Sequence, residues 1–264
     1  MGLKGCTVWI TGASAGIGKA LAVEISKYDA NLILSSRNLR KLEEVKSLCQ
    51  DSERVEILEL DLVEQEAFDS KVKTALAFFN RIDILINNAG ISQRSLAIDT
   101  KAAVGEKIFD VNYFGTVALT QAILPHFIKN RRGQVAVVSS VVGKIGTPLR
   151  SSYSASKHAL HGYFDSLRAE LYPTGVKITI ICPGFVNTDV SIHALTGDGS
   201  EQGSKDKATA NGLSPEKFAK KAVRAIHRQK QEVVIGGFLE HLGVWVKRFF
   251  PRLLARMVRK VPVT

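Results

Sequence analysis

Short apolar runs alternate along the chain with longer segments whose apolar residues recur at helical spacing. The apolar runs predict strands at Cys6–Ile10, Asn31–Ser35, Val55–Leu60, Ile82–Ile86, Val135–Ser139, Lys177–Cys182 and Glu232–Ile235. The periodic segments predict helices at Gly16–Tyr28, Leu39–Cys49, Glu64–Phe79, Ala102–Asn130, Ser152–Leu171 and Pro215–Gln229. Uninterrupted apolar strands that alternate with helices are typical of a parallel sheet covered on both faces. Because crossovers between parallel strands are right-handed, we expect an α/β fold with a doubly wound sheet.

This alternation stops after Pro183. Residues 191–213 are rich in glycine, serine and charged residues and are longer than a usual connection, which predicts either a lid over a substrate site or a mobile loop. No earlier linker divides the chain, so we interpret residues 1–237 as one domain. Residues 238–264 form a tail in which apolar and aromatic residues recur beside cations, and Pro251 predicts a break into two short helices.

Composition narrows the possible functions. The 264 residues, 45% of them hydrophobic, suit one large domain with a sizeable core. Much of the formal charge of +11 lies after residue 217 and lacks the interleaved aromatics of a single-strand binding surface, which argues against nucleic acid as a partner. Cys6, Cys49 and Cys182 show neither disulfide nor zinc spacing, so we expect reduced thiols in the cytoplasm and no metal. We expect neither a signal peptide nor a membrane-spanning run.

Tyr153 and Lys157 form the pair with the clearest chemical use. Four residues apart on a predicted helix, they lie on one face, one turn apart. A free phenol, with a pKa near ~10, exchanges protons poorly at neutral pH, and a neighbouring ammonium group lowers that pKa. A decrease of about three units corresponds to roughly 4 kcal/mol. The pair therefore predicts a general acid–base, although a surface Tyr and Lys on one helix face would show the same spacing.

The ends of the first two predicted strands carry residues suited to a dinucleotide. Thr11–Gly18 opens the first helix, where glycines let the backbone approach a diphosphate; the structural alternative is a tight turn. The second strand ends at Arg37 and has no acidic residue that could bind a ribose diol. Arg37 can instead pair with a 2′-phosphate, aided by Asn38 or Ser36, which favours NADP(H) over NAD; an ordinary solvated arginine is the alternative.

Polar residues also mark later positions. Asp61 ends the third strand, where its carboxylate could bond an adenine edge or cap the following helix. Asn87–Gly90, at the end of the fourth strand, combines amides with small residues, as suits a strand end that passes beneath a cofactor. Asn112 lies within a predicted helix, where a buried amide is locally unfavourable, so we expect it to have a specific partner.

Together these motifs resemble the short-chain dehydrogenase/reductase family. The resemblance rests on Thr11–Gly18, Asn87–Gly90, Asn112, Ser139 and Ser140, Tyr153–Lys157, and Pro183 and Gly184, in the family's order and spacing over residues 5–190. It implies a Rossmann-type fold with a seven-stranded parallel sheet between two helical layers, so that residues 1–237 would be an NADP-binding catalytic domain. It also implies a catalytic tetrad of Asn112, Ser140, Tyr153 and Lys157. Ser140 is preferred to Ser139 because it precedes Tyr153 by 13 residues, a usual spacing in the family.

The resemblance also implies what these residues do. Tyr153 would be the acid in carbonyl reduction or the base in alcohol oxidation, and Ser140 would polarise the substrate oxygen. Lys157 would hold the nicotinamide ribose, and Asn112 would position a water. The implied cofactor contacts, together with the glycine-rich turn, are Gly12, Ser14, Gly16, Ile17, Gly18, Arg37, Asn38, Asp61, Leu62, Asn88, Gly90, Tyr153, Lys157, Pro183, Gly184, Val186 and Thr188.

The leading hypothesis is an NADPH-dependent oxidoreductase that acts on the CH–OH group, or the corresponding carbonyl, of an apolar, lipid-like substrate. Its pocket would be lined by residues 92–96, Val141–Leu149, Phe185 and the lid, with Arg94 and Arg150 nearby. The alternatives are an NAD-dependent alcohol dehydrogenase and a dinucleotide-binding sensor without turnover.

The tail and the long helices suggest larger partners. A basic amphipathic tail with Trp245 predicts contact with an anionic membrane surface, and packing on the protein's own core or on a partner chain is the alternative. Similar tails occur in the branch of the family that resembles 11β-hydroxysteroid dehydrogenase and dehydrogenase/reductase member 7. The family resemblance implies a homodimer or homotetramer built on the helices that carry Asn112 and Tyr153. The apolar residues available for that contact are Leu119, Ile123, Phe127, Leu160, Phe164 and Leu167.

Overall fold

The computed structural model describes residues 2–259, and within them seven parallel strands form one sheet. The strands are β1 (Thr7–Thr11), β2 (Asn31–Ser36), β3 (Val55–Glu59), β4 (Ile84–Asn87), β5 (Gln134–Val138), β6 (Lys177–Pro183) and β7 (Glu232–Ile235). Their order across the sheet is β3-β2-β1-β4-β5-β6-β7. The chain thus winds outward from β1 on one side and then, after crossing from β3 to β4, outward on the other. The predicted doubly wound, Rossmann-type sheet is confirmed, and its switch point lies between β1 and β4.

Helices cover both faces of the sheet. In chain order they are α1 (Gly16–Ser26), α2 (Leu39–Lys46), α3 (Phe68–Phe79), α4 (Ala102–Phe109), α5 (Thr116–Lys129), α6 (Ser151–Glu170), α7 (Lys207–Ala210), α8 (Pro215–His227), α9 (Phe238–Phe249) and α10 (Pro251–Val258). One apolar core joins the sheet to α1, α2 and α8, and a second joins it to α3, α5 and α6. The predicted three-layer arrangement therefore follows directly from which helices share a core.

The alternation of side chains along each strand explains the two cores. In β1, Val8 and Ile10 pack in the core with α1 and α8, while Trp9 between them packs in the core with α3 and α5. Successive residues of a strand point to opposite faces, so a strand covered on both sides must be apolar throughout. The indole nitrogen of the buried Trp9 donates to Ser35 Oγ at 2.8 Å, which satisfies its one polar atom.

The predicted helix over residues 102–130 is interrupted. A π-helical segment, Asp110–Gly115, separates α4 from α5 and contains Asn112. A Cβ on Gly115 would lie 2.2 Å from the carbonyl oxygen of Leu62, so glycine is needed where this segment passes the end of β3. Helix α3 also starts later than predicted, at Phe68, because a short 3₁₀ turn precedes it. π segments within α-helices are frequently found at functional sites.

The polar segment of residues 191–213 is folded onto the body of the protein. The backbone of Leu195 pairs with the loop after β4: its nitrogen donates to Ser92 O at 2.9 Å, and its oxygen accepts from Arg94 N at 2.8 Å. Ser191, Leu195 and Asp206 are all buried. The segment therefore has the attachments of a seated lid, and these attachments connect it to the carboxyl end of β4.

The tail forms two short helices, α9 and α10, that meet at Pro251 as predicted. Their inner side chains, Val246 and Leu254, pack with Val141 and Ile145 of the loop after β5. The tail thus rests on the protein's own core with one face. Its outer face carries exposed apolar residues such as Trp245 and Phe249. Residues 260–264 lie outside the described part of the chain.

The residues expected to form a subunit interface are instead in the interior. Leu119, Ile123 and Phe127 of α5 and Leu160 and Phe164 of α6 are at most 1% exposed, and Leu167 is also buried, all within the core under the sheet. That assignment was wrong because the same apolar periodicity serves a helix that covers a sheet and one that pairs with a partner. A homodimer or homotetramer stays a prediction without these contacts.

Candidate functional site

Tyr153 and Ser140 meet where the end of β5 approaches the start of α6. Tyr153 lies in the first turn of α6, and Ser140 caps the short turn Val141–Gly143 by accepting from Val142 N at 3.2 Å. Ser140 lies close enough to Tyr153 for its hydroxyl to lower the pKa of the phenol. The neighbouring Ser139 is directed elsewhere, since its Oγ donates to Lys157 O at 3.2 Å. The geometry therefore favours Ser140 over Ser139 as the hydroxyl beside the phenol.

Lys157 lies one turn beyond Tyr153 and is 4% exposed. Its Nζ donates to Val138 O at 2.9 Å and lies 5.9 Å from the centre of the Tyr153 ring. Burial lowers the pKa of Lys157 to about 8, because the interior disfavours the ammonium form. Helical spacing thus brings the two side chains together as predicted, and burial makes the ammonium form of Lys157 easier to deprotonate than in a free lysine.

Asn112 lies fully buried in the π segment, with its amide bound on three sides. Its Oδ1 accepts from Ile91 N at 2.8 Å, and its Nδ2 donates to Ile91 O at 2.9 Å and to Ser156 Oγ at 3.0 Å. A Cβ on Gly90 would lie 3.0 Å from Asn112 Oδ1 and 3.4 Å from Lys157 Nζ. The expected specific partner of the mid-helix amide is thus the loop after β4, and Asn112 and Lys157 converge on Gly90.

The electrostatic surroundings of Tyr153 differ from the expectation that Lys157 governs its acidity. Loss of surrounding water raises the pKa of Tyr153. The charge of Arg150, the hydrogen bond with Ser140 and the charge of Arg94 oppose that rise, in that order. The two arginines were expected only near the substrate pocket. A signal was present in the sequence, because Arg150 precedes Tyr153 by one helical turn.

These two arginines belong to a buried charge cluster that includes a lid carboxylate. Arg94 donates to Asp206 Oδ2 through Nε at 2.8 Å, and Arg150 approaches the same oxygen at 3.5 Å. Arg94, Arg150 and Asp206 are all buried, at 8%, 6% and 3% exposure. Burial would raise the pKa of Asp206, but the hydrogen bonds from Arg94 and Gln202 outweigh it and keep that pKa below its ordinary value. The ionised Asp206 carboxylate therefore holds the lid against the two arginines.

The glycine-rich turn after β1 has the shape of a phosphate cradle. Gly12 and Gly16 have φ values of 63° and 53°, which glycine adopts without strain. A Cβ on Gly18 would lie 2.1 Å from Gly12 O and 2.6 Å from Asn88 Nδ2, so the turn, the first helix and the end of β4 are in close contact. No side chain caps the N-terminus of α1, and its first turn contains no acidic residue. Its free N–H groups and positive dipole end suit a diphosphate, and Ser14 and Ile17 lie on this turn.

Several predicted cofactor residues have structural partners of their own. Asn88 Nδ2 donates to Thr11 O at 3.0 Å, which fastens the turn to β4. Asn38 Oδ1 accepts from Lys41 N at 3.0 Å and so caps α2. Asp61 Oδ1 accepts from Val63 N at 3.2 Å, which closes a turn and does not cap the next helix. These side chains shape the cofactor groove, and their contact with a cofactor stays a prediction.

Arg37 follows β2 and Thr188 follows β6, so both lie at the carboxyl edge of the sheet. Arg37, 72% exposed in its side chain, lies with Nη1 3.9 Å from Asp61 Oδ2 at the end of β2, and its guanidinium is open to solvent. Thr188 follows β6, and a Cβ on Gly16 would lie 3.2 Å from its methyl group. The other predicted contacts also lie at the carboxyl edge of the sheet, because each ends or follows β3, β4 or β6. These contacts are Leu62, Gly90, Pro183, Gly184 and Val186.

One group of three side chains within residues 2–259 has ligand atoms within 4.8 Å of each other: His161, Cys182 and Glu232. The two ring nitrogens of His161 face different partners, Glu232 Oε2 at 3.5 Å and Cys182 Sγ at 3.7 Å. Lys144 Nζ also lies 2.8 Å from Glu232 Oε2. Burial raises the pKa of Cys182 to about 12, so its thiol stays protonated. This arrangement is that of a hydrogen-bonded ion pair, and it does not converge on one metal position.

Comparisons with known proteins place the chain among dehydrogenases. The family model described as short chain dehydrogenase matches residues 6–197. The chain is 42% identical over 261 residues to Dehydrogenase/reductase SDR family member 7B of Xenopus laevis, covering 95% of this chain and 80% of that protein.

Two solved structures show the same fold. A short chain dehydrogenase/reductase from Burkholderia phymatum in complex with NAD has a TM-score of 0.83 at 19% identity, over 100% of this chain and 98% of that one. An alcohol dehydrogenase from the archaeon Thermococcus sibiricus, complexed with 5-hydroxy-NADP, has a TM-score of 0.75 at 23% identity, over 89% and 97%. At these identities the likeness concerns the fold.

The charge cluster generates a prediction about stability. Replacing Asp206 with Asn removes the carboxylate that faces two buried guanidinium groups, and breaking a buried pair costs roughly 3 kcal/mol of unfolding free energy. The matched control is Asp189→Asn just before the lid, because Asp189 pairs with the lid residue Lys205 at 2.8 Å but is 64% exposed. That exposed pair should contribute less than about 1 kcal/mol. Denaturant unfolding of the unmodified protein and the two variants measures both changes in unfolding free energy. Equal losses in the two variants would contradict the role of Asp206.

Proposed function

Because this chain belongs to the short-chain dehydrogenase/reductase family, in the branch of member 7B and its relatives, we propose that it is an NADPH-dependent reductase of a carbonyl in an apolar, lipid-like substrate. Membership of the family makes it an oxidoreductase; the cofactor, the substrate class and the direction are our proposal. The observation that carries it is the position of Lys157 Nζ, 5.9 Å from the centre of the Tyr153 ring, with Ser140, on another segment of the chain, close enough to lower the pKa of the phenol.

The residues of the groove fit a nicotinamide dinucleotide. The start of α1 is uncapped, and Gly12 and Gly16 let the turn before it pack closely on Ala89 and Thr188. Gly90 likewise lets the loop after β4 approach Asn112 and Lys157. When bound, the nicotinamide would supply or accept the hydride. Gly12–Gly18, Asn88–Gly90 and Val186–Thr188 would hold the cofactor along the carboxyl ends of β1, β4 and β6.

In the reductive direction, Tyr153 donates a proton to the substrate oxygen. The raised pKa of Tyr153 keeps the phenol protonated at neutral pH, which is the form an acid needs. Ser140 donates a hydrogen bond to the same oxygen and stabilises the negative charge that develops there. Lys157 then stabilises the phenolate and, with Asn112 behind it, provides the route by which the proton returns.

The preference for NADPH rests on Arg37. Its guanidinium is largely exposed at the end of β2, and its neighbour Asp61 lies 3.9 Å away, so the fork can turn to meet a 2′-phosphate. An NAD-specific site would place an acid at the end of this strand, and Asn31–Ser36 contains none. The alternative is an NAD-dependent alcohol dehydrogenase, which would not lose affinity for NADPH selectively when Arg37 is removed.

A second proposal concerns the outer face of the tail, where aromatic and basic residues lie side by side. Trp245 and Phe249 are 54% and 59% exposed, with ring centres 5.0 Å apart. Exposed cations flank them, including Lys247, Arg248 and Arg252. We propose that this face lies on an anionic membrane surface, because apolar rings beside cations match the interface of acidic lipids. No helix within residues 2–259 is long and apolar enough to cross a bilayer.

We propose the cytoplasmic side of such a membrane as the location. The three cysteines Cys6, Cys49 and Cys182, all within the described residues, are free and buried. Buried thiols without disulfides are typical of a reducing compartment.

Two adjacent serines test the active-site assignment. Ser140→Ala removes the hydroxyl beside the phenol and should lower kcat by about 10²-fold or more, in the range found when an oxyanion donor is removed. Ser139→Ala is the matched control, since Ser139 bonds a backbone carbonyl, and its kcat should stay within a few fold. NADPH oxidation with a panel of apolar ketones measures both. Equal losses would contradict the assignment, and NADPH binding without turnover of any ketone would favour the sensor.

Arg37→Ala tests the cofactor. Loss of the guanidinium should raise Kd for NADPH by about tenfold or more, corresponding to the ~1.5–3 kcal/mol of a hydrogen bond to a charged group, and should leave Kd for NADH nearly unchanged. Arg40→Ala is the control, because Arg40 is likewise exposed and lies three residues further along, where it approaches Glu44 at 3.9 Å. Fluorescence titration gives the Kd of each variant for NADPH and for NADH. An equal loss of affinity for both cofactors in Arg37→Ala would refute the preference for NADPH.

If the outer face of the tail lies on an anionic membrane, the protein should bind acidic vesicles selectively. The full chain should sediment with phosphatidylcholine vesicles that contain phosphatidylserine and not with phosphatidylcholine alone. The double change Trp245→Ser and Phe249→Ser should weaken that binding by about tenfold or more. Tyr172→Ser serves as the control, since Tyr172 is 84% exposed but lies between α6 and β6. Absence of binding to acidic vesicles, or equal binding by both variants, would refute the proposal.

A further inference from the structure

We infer that Gln93 is a positioning residue for the Tyr153 phenol: from the loop after β4, its side-chain oxygen caps the N-terminus of α6 and holds the turn that carries Tyr153. The inference rests on the proposed function and deepens it, since it names a residue outside the Asn–Ser–Tyr–Lys set that places the proton donor. It also goes beyond the expectation that residues 92–96 line the substrate pocket.

The first turn of α6 needs a cap from another part of the chain. The first N–H groups of an α-helix have no partner within the helix, and the side chain of the residue just before the helix usually binds them. In α6 that residue is Arg150, whose guanidinium has donors only and cannot accept from an N–H group. Its carbonyl accepts from Ser154 N at 2.7 Å, which begins the helical pattern. The N–H groups of Ser152 and Tyr153 therefore need an acceptor from elsewhere.

Gln93 supplies that acceptor. Its Oε1 accepts from Ser152 N at 2.8 Å and from Tyr153 N at 3.2 Å. Ser152 and Tyr153 are the second and third residues of α6, the positions whose N–H groups a capping side chain normally binds. Gln93 thus does from 60 residues away what a serine or asparagine does from the preceding position. One of its two bonds holds the backbone of the residue whose phenol is the proposed acid.

The other end of the Gln93 amide fixes its orientation. Gln93 is fully buried, and its Nε2 donates to Ser95 Oγ at 3.1 Å and to Thr100 Oγ1 at 3.0 Å, with Ser151 Oγ at 3.4 Å. The hydroxyls of Ser95 and Thr100 are also bonded to each other, at 2.7 Å. A reversed amide would turn its own N–H groups toward those of α6 and leave buried donors unsatisfied. The oxygen is therefore held toward α6.

The backbone on either side of Gln93 is paired with the lid. Leu195 N donates to Ser92 O at 2.9 Å, and Arg94 N donates to Leu195 O at 2.8 Å. Leu195 and Gln93 thus lie side by side as an isolated parallel bridge. The seated lid fixes this loop on one side, and the Gln93 side chain reaches the first turn of α6 on the other. One side chain therefore connects the lid to the turn that carries Tyr153.

A capped first turn matters because Tyr153 lies in it. Helix ends fray, and a proton donor must stay within hydrogen-bond reach of the substrate oxygen. A misplacement of about 1 Å can lower a rate by about 10²-fold. Lys157 lies one turn further into α6, where its Nζ donates to Val138 O at 2.9 Å. Loss of the cap should therefore displace the phenol and leave Lys157 in place.

The test replaces Gln93 with methionine in the full chain, which keeps the length of the side chain and removes the acceptor oxygen. Hydrogen exchange of the Ser152 and Tyr153 amides, measured by NMR, should become faster by about tenfold or more. The single-turnover rate with NADPH and the apolar ketone that the unmodified protein reduces fastest should fall by about tenfold or more. Kd for NADPH should stay within a few fold, because the removed bonds involve neither the glycine-rich turn nor Arg37.

Three further variants separate positioning from stability. Gln93→Glu keeps an acceptor oxygen, and the nearby hydroxyls can turn to donate to its second oxygen, so amide protection and rate should both largely recover. Ser214→Ala removes the cap of α8, where Ser214 Oγ accepts from Lys217 N at 3.3 Å, and its rate should stay within a few fold. Thr100→Val removes one partner of the Gln93 amide and replaces Gln93→Met if the latter lacks the dispersed spectrum of a folded protein. Its rate should fall by about threefold or more.

Unchanged exchange of the Ser152 and Tyr153 amides in Gln93→Met would overturn the inference, as would a rate within twofold of the unmodified protein although those amides exchange faster. An equal loss of rate in Ser214→Ala, or in Gln93→Glu with its amides protected, would also overturn it. The exchange measurement needs neither substrate nor cofactor. If the unmodified protein reduces no ketone, the proposed function fails, and amide exchange still decides whether Gln93 caps α6.

Discussion

The burial of the Tyr153 phenol on folding is the constraint on which the arrangement of this site depends. Burial alone makes Tyr153 a weaker acid, and every neighbouring contact acts against that effect: the hydroxyl of Ser140, the guanidinium of Arg150 and, behind it, Arg94. Each of these groups comes from a different segment, namely the end of β5, the turn before α6 and the loop after β4. The carboxyl edge of the parallel sheet brings them within reach of one hydroxyl, which is the general property of such sheets.

The π segment and the glycines serve the same end by allowing close approach. Asn112 binds the loop after β4 with both ends of its amide, and this holds the segment that contains Gly90 against Lys157. π segments within α-helices are frequently found at functional sites. This one contains both the buried amide of Asn112 and the close approach of Gly115 to Leu62.

The lid and the tail are attached to the rest of the protein by different chemistry. The lid is attached by buried charges centred on Asp206, and the tail by apolar contacts of Val246 and Leu254 with Val141 and Ile145. Since Val141 follows Ser140 directly, the tail packs one residue away from the group beside the phenol. A surface that binds membrane on its outer face and contacts the active-site loop on its inner face would place the entrance for an apolar substrate near the lipid.

The sequence by itself determined the sheet, its doubly wound topology and the helix that carries Tyr153 and Lys157, because apolar period and spacing along one element are local properties. It also located Arg37 and the glycine-rich turn at strand ends. The family spacing preferred Ser140 to Ser139, and the tertiary structure supplied the physical difference between them, because Ser139 Oγ donates to the Lys157 carbonyl instead. Only the tertiary structure revealed the role of Asp206, which lies 112 residues from Arg94 and pairs with it through the fold alone. Likewise, Leu119 and Phe164 showed an apolar face whose period is the same whether a sheet or a partner covers it, so only packing could assign it to the core.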